Sequence, residues 1–181
     1  QKAFSFYSIS DSLKIGLFKS RMTIFTKDGG TSWSEPSPTA SLKYGGAKIW
    51  GQKLDNNQYA LVYNPTDNKN RHPLGVAISD DGLNFNNLSL VHGEVPVKRY
   101  WGIEKRPGPQ YVRGISEGNG NPPGNDLWVV YSVSKEDIWI SKIPVPISRL
   151  QNGKIEDTFN QASSMDIIKG WNIYRPKWCP V

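Results

Sequence analysis

Thr26-Lys27-Asp28-Gly29-Gly30-Thr31-Ser32-Trp33 is the stretch whose reading decides the fold. Met22 to Phe25 ahead of it is apolar and rich in strand formers, so a strand runs into the turn. Gly29-Gly30 supplies positive φ, and Asp28 can accept hydrogen bonds from the turn's own backbone N–H groups. Thr26 is placed to tie the ends of the turn, and Trp33 to cap the layer beneath. The stretch therefore predicts a tight connection between two antiparallel strands, and the fold depends on whether it recurs.

Three segments of the chain align with one another. The first is Phe4–Ser8, a loop, then Met22–Thr26 and the Asp28 turn. The second is Tyr59–Asn64, a loop, then Gly75–Ser79 and the turn Asp80-Asp81-Gly82-Leu83-Asn84-Phe85. The third is Leu127–Ser132, a short loop, then Ile138–Lys142, where Lys142-Ile143-Pro144 replaces the acidic turn. Corresponding positions recur about every fifty to seventy residues, one four-stranded sheet's worth of chain and close to a propeller blade. Tyr7, Tyr63 and Tyr131 fall at matching places in this alignment, which marks them as core residues.

The second repeat is read as strands Ala47–Leu54, Gln58–Asn64, Leu74–Ser79 and Leu88–Val91, and the third as Gln110–Ser116, Leu127–Val133 and Asp137–Ile143. Pro144 and Pro146 obscure a fourth strand there. Phe4–Ser8 matches the second strand of a repeat, so the first repeat is expected to lack its first strand. The expectation is an all-β propeller of four-stranded antiparallel blades at about 1–36, 37–92 and 93–160, with the start of another at 170–181. About three blades cannot close a ring of six or seven. The remaining blades are expected from a longer protein or a second chain, and the first residue is Gln, not Met. A self-contained β-sandwich is the alternative.

The 181 residues suffice for one domain, and 17 glycines, 13 prolines and 12% aromatics suit short strands and turns. The single Cys179 excludes an internal disulfide, and with only His72 and His92 no metal or other cofactor is expected. No apolar run is long enough for a transmembrane helix, so no membrane partner is expected, and no signal peptide is visible. A net charge of +6 favours anionic partners. The basic residues are scattered, which argues against nucleic acid and leaves an acidic oligosaccharide or polysaccharide.

Connections in an antiparallel blade alternate between two faces. The acidic turns share one face with short connections such as Asp55-Asn56-Asn57, and the long, charged connections lie on the other. That second face collects Arg71, His72, Arg99, Tyr100, Arg113, Lys135 and Glu136. Arginine forks hold a carboxylate bidentately, and Arg113 leads because it stands on an innermost strand. Trp50, near the matching position of the second repeat, is a candidate for stacking on a sugar face. Glycoside hydrolysis needs an acid and a nucleophile or base, for which Tyr100 and Glu136 are available, with Glu94 and Tyr174 nearby in the reading. Glu117 falls toward the acidic-turn face and reads as structural.

TKDGGTSW, RHPLGVAISDDGLNF and NDLWVVYSVSKEDIWISKIPVP resemble the sialidase-like Asp-box (BNR-repeat) β-propellers, most closely the bacterial exo-sialidase-like proteins of glycan breakdown. The resemblance covers about residues 20 to 147. It implies a secreted or periplasmic glycoside hydrolase whose ring binds the substrate carboxylate through three arginines, with a Tyr/Glu pair as nucleophile and an Asp as acid. Arg71, Arg99 and Arg113 are the arginines this chain offers, and the acid Asp is expected in a blade absent from it. Similar propellers are polysaccharide lyases, for which His72, Tyr100 and Arg113 would serve as base, acid and uronate partner. Others bind carbohydrate without catalysis.

Overall fold

The computed structural model describes residues 2–67, 71–94, 97–115 and 126–147. Within them the strands are β1 (Ser5–Ser8), β2 (Lys14–Leu17), β3 (Met22–Thr26), β4 (Ser37–Pro38), β5 (Trp50–Lys53), β6 (Tyr59–Tyr63), β7 (Leu74–Ser79), β8 (Asn86–His92), β9 (Pro109–Gly114), β10 (Leu127–Val133) and β11 (Asp137–Ile143). They form three antiparallel sheets in which every strand pairs with its neighbour in sequence: β1-β2-β3-β4, β5-β6-β7-β8 and β9-β10-β11. One short 3-10 turn, Lys19–Arg21, interrupts the pattern. Among the described residues no helix is long and apolar enough to cross a membrane.

The period of two explains how the sheets stack. On β10, Leu127, Val129, Tyr131 and Val133 are buried while the residues between them are half-exposed. β6 and β7 are buried at every position, because the second sheet is covered on both faces. Ala60, Val62, Val76 and Ile78 face Val112, Leu127 and Val129 of the third sheet. Tyr59, Leu61, Tyr63 and Ala77 face Tyr7, Ile15 and Leu17 of the first. The opening strands come together at one edge, β1 against β5 and β5 against β9. Ser5 Oγ donates to the Ile49 carbonyl at 2.9 Å, and Arg113 donates to the Phe4 carbonyl at 3.2 Å. Sheets standing face to face with their first strands together have the arrangement of consecutive propeller blades.

The Thr26–Trp33 turn closes as its residues predict. Thr26 Oγ1 donates to Asp28 at 2.6 Å and accepts from the Gly30 N–H at 3.0 Å. The Ser32 N–H and hydroxyl donate to the Asp28 carboxylate at 2.9 and 2.5 Å. Gly29 and Gly30 have φ of 76° and 113°. The Ser79–Phe85 turn repeats the scheme: Ser79 Oγ donates to Asp81 at 2.7 Å, and the Leu83 and Asn84 N–H groups each donate to Asp81 at 2.7 Å. These donors hold both carboxyls well below the usual carboxylate range, Asp28 chiefly through Ser32 and Asp81 chiefly through Asn84. Tyr7 ties the first sheet to the second turn, its hydroxyl donating to the Gly82 carbonyl at 2.6 Å.

The first repeat corrects the sequence reading. Ser5–Ser8 is the first strand of its sheet, and the second strand is Lys14–Leu17, which the alignment left in a loop. The first sheet therefore has all four strands. Tyr7 sits on a first strand and Tyr63 and Tyr131 on second strands, so the three share burial but not position. In the second repeat the first strand is shorter than expected, beginning at Trp50, and the last begins earlier, at Asn86. Ser116, Glu117, Tyr174, Cys179 and the segment 170–181 lie outside the described residues.

Candidate functional site

Alternation of the connections sorts the chain ends of the sheets. The turns after β1, β3, β5 and β7 gather at one end. The described parts of the connections after β2, β6 and β10 (18–21, 64–67 with 71–73, and 134–136), with the described residues just ahead of β1, β5 and β9, gather at the other. A cavity of about 910 Å³ opens on this second face. Among the described residues its wall carries Lys2, Lys19, Lys48, Arg71, Arg106 and Lys135 against two carboxylates, Asp67 and Glu104, with Gln110 and Tyr111 beside them. Among the described residues six cations face two anions in one concavity, an excess whose positive field draws in an anion.

The local backbone explains why these side chains meet. Asn64, buried at the end of β6, places its amide Nδ2 at 3.1, 2.9 and 3.0 Å from the carbonyls of Arg71, Pro73 and Pro109. That knot joins the connection after β6 to the start of β9. Gly108 has φ of 92°, and a Cβ there would stand 2.4 Å from the Arg71 carbonyl oxygen, so only glycine allows the close approach. Ser134 N–H donates to the Gly108 carbonyl at 2.9 Å, which docks the β10–β11 turn on the same point. Arg71 extends into the cavity wall, one guanidinium N–H donating to the Gly46 carbonyl at 2.9 Å. Tyr111, with φ of 60°, carries its ring between two ammonium groups, Lys48 at 5.4 Å and Lys135 at 5.5 Å from the ring centroid.

Of the residues predicted from sequence, the cavity brings together Arg71 and Lys135. The others lie elsewhere. Arg113 stands near the far end of β9, its guanidinium 5.4 Å from the centre of the Trp50 ring and bonded to the Phe4 carbonyl. Trp50 is 1% exposed and donates to Gln52 at 3.2 Å, packed under the third sheet, so it cannot stack on a sugar. Arg99 is engaged by Asp137 at 2.7 Å and by Glu136. His72 turns its Nε2 to the Gly93 carbonyl, away from the cavity. Tyr100 is exposed on the segment before β9 and its ring lies beneath Lys105.

Glu136 is a tied carboxylate, not an acid in waiting. Its side chain is 4% exposed and accepts from the Arg99 and Tyr100 N–H groups, both at 2.8 Å, and from Lys105. The Arg99 N–H, then Lys105, hold its pKa down at about 2. Its work is to pin the 97–106 segment. The sequence reading missed Lys19, Lys48, Arg106, Gln110 and Tyr111. Tyr111 alone carried a usable signal, as an aromatic on an innermost strand next to basic neighbours.

No protein-family model matches the chain, and no curated protein matches it. Among solved structures, a chain titled "Sialidase" matches with a TM-score of 0.76 and 46% sequence identity. The match covers 99% of this chain and 16% of that one. This chain thus spans about a sixth of the length of the structure it resembles. Identity at this level over an alignment that spans nearly the whole chain, with that TM-score, leaves one conclusion for the architecture: the chain has a sialidase-like fold.

Proposed function

We propose that the protein is a sialidase-like exo-glycoside hydrolase acting on an acidic glycan, and that the basic cavity takes hold of the glycan's anionic group. The excess of cations around the 910 Å³ cavity carries this reading. A guanidinium has five donors, so the anchor from Arg71 to Gly46 still leaves a fork for a carboxylate, with Lys135 and Lys48 supplying charge beside the Tyr111 ring. In this reading the Asp28 and Asp81 turns are Asp boxes that brace the sheets on the opposite face. The three sheets are blades of a larger ring completed by the rest of the protein or a second chain, working outside the cell or in the periplasm. The Glu136 carboxylate is taken up by the Arg99 and Tyr100 N–H groups and by Lys105, and His72 turns to Gly93, so in this reading the reacting groups come from other blades.

Assays with a fluorogenic sialoside and with a uronate polysaccharide separate the chemistries. Sialic acid release is expected, and Lys135→Ala should raise KM about 5- to 10-fold, as loss of a charge-assisted contact worth about 1 kcal/mol or slightly more predicts. An unsaturated uronate absorbing in the near ultraviolet would make the protein a lyase. Glycan binding without any product would make it a carbohydrate-binding propeller.

A further inference from the structure

The segment 97–106 enters the cavity wall through Glu104 and Arg106, and just ahead of them it exposes apolar side chains that the site so far leaves unused. Trp101 is 91% exposed and Ile103 is 97% exposed, and Tyr100 stands beside them. Such exposure is ordinary on a loose loop, but this one is fastened. Glu136 accepts from two consecutive backbone N–H groups and from Lys105, whose ammonium also donates to the Tyr100 carbonyl at 3.1 Å. Lys98 donates to the Lys105 carbonyl at 2.9 Å, which closes the segment on itself, and the Lys105 N–H donates to the Gly102 carbonyl at 3.1 Å. The indole of Trp101 has the Lys98 ammonium 4.8 Å from its ring.

We propose that Trp101 is the stacking platform of a second sugar subsite, holding the pyranose next to the acidic residue bound in the cavity. This rests on the cavity being the anion site. An aromatic face suits the apolar C–H face of a pyranose, and the Lys98 ammonium beside it can donate to ring hydroxyls. The Cα atoms of Trp101 and Glu104 are at most about 11 Å apart by chain geometry, and the Gly102–Lys105 turn shortens that, a separation within the span of two linked pyranoses. Because the platform is fastened before the ligand arrives, stacking costs little ordering entropy.

The test compares N-acetylneuraminic acid with a thio-linked sialyl-galactoside that resists cleavage, by calorimetry on the intact protein and its variants. Trp101→Ala should weaken the disaccharide about 5- to 20-fold and leave the monosaccharide unchanged, and Trp101→Phe should restore most of the loss. Equal effects on both ligands, or no effect on either, would overturn the platform. So would a change in elution volume, which would make Trp101 a contact between protein chains. Lys135→Ala separates the underlying reading: it should weaken both ligands, and no change with either would overturn the anion site while the Trp101 ratio still reports on the platform. Absence of binding of either ligand to the unaltered protein would overturn both.

Discussion

Gly51→Ala tests how closely the first strands are seated against one another. Gly51 lies on β5, and a Cβ there would stand 2.5 Å from Tyr7 Cδ1 and 2.6 Å from Leu17 Cδ1. Both side chains are 1% exposed, so neither can swing into solvent. The Tyr7 ring is fixed at both ends, by its strand and by its hydroxyl bond to Gly82. The added methyl must therefore push the first and second sheets apart or drive Leu17 off its rotamer, an overpacking cost of about 1–3 kcal/mol. For a chain of this length that lowers Tm by about 2–12 °C. Differential scanning calorimetry reads the shift. A variant that melts with the unaltered protein would refute the packing described for β1 and β5.

Tyr7→Phe should cost about 1–3 kcal/mol in urea unfolding, because the buried Gly82 carbonyl loses its donor. Asp28 and Asp81 have pKa values depressed in the folded state, so their contribution is present above the ordinary carboxylate pKa near 4 and is lost as pH falls below it. Tm should therefore drop from about pH 5 downward, and an Asp28→Asn, Asp81→Asn double variant should show a flatter profile; an unchanged slope would contradict the turn geometry. Glu136→Gln should raise amide hydrogen exchange at Arg99 and Tyr100 while leaving β10 protected, and a spread of faster exchange through β10 would show that the anchor serves the whole sheet.

The fold was legible wherever one residue type had one local job. Thr26, Asp28 and the Gly29-Gly30 pair specify their turn almost without help from the rest of the chain, and Ser79, Asp81 and Gly82 repeat it. Lys14–Leu17 escaped notice because four residues containing a glycine and a lysine carry no alternation, and the strand exists because β1 and β3 flank it. Losing it moved Phe4–Ser8 from the first place to the second, while Met22–Thr26 kept its place as the third strand. The site was less legible than its face. Alternating connections point to the end where the cavity opens, but its wall is drawn from pieces of chain far apart in sequence. Arg113 and Trp50 looked alike in sequence, each on a first strand. Side-chain direction separates them: Trp50 turns into the core between sheets, and Arg113 reaches across to the first sheet. Glu136 looked catalytic because its neighbours are charged, and those same neighbours neutralise it.

The central claim is that the face opposite the acidic turns binds an anionic sugar by charge. It is tested most directly by equilibrium binding of a cleavage-resistant, thio-linked sialyllactose and of lactose to the intact protein over a range of salt. The account predicts that only the sialylated ligand binds, and that its affinity falls as ionic strength rises and the screening length shrinks to about 8 Å at 0.15 M and about 3 Å at 1 M. Equal affinity for both sugars, or binding of sialyllactose that ignores salt, would contradict it.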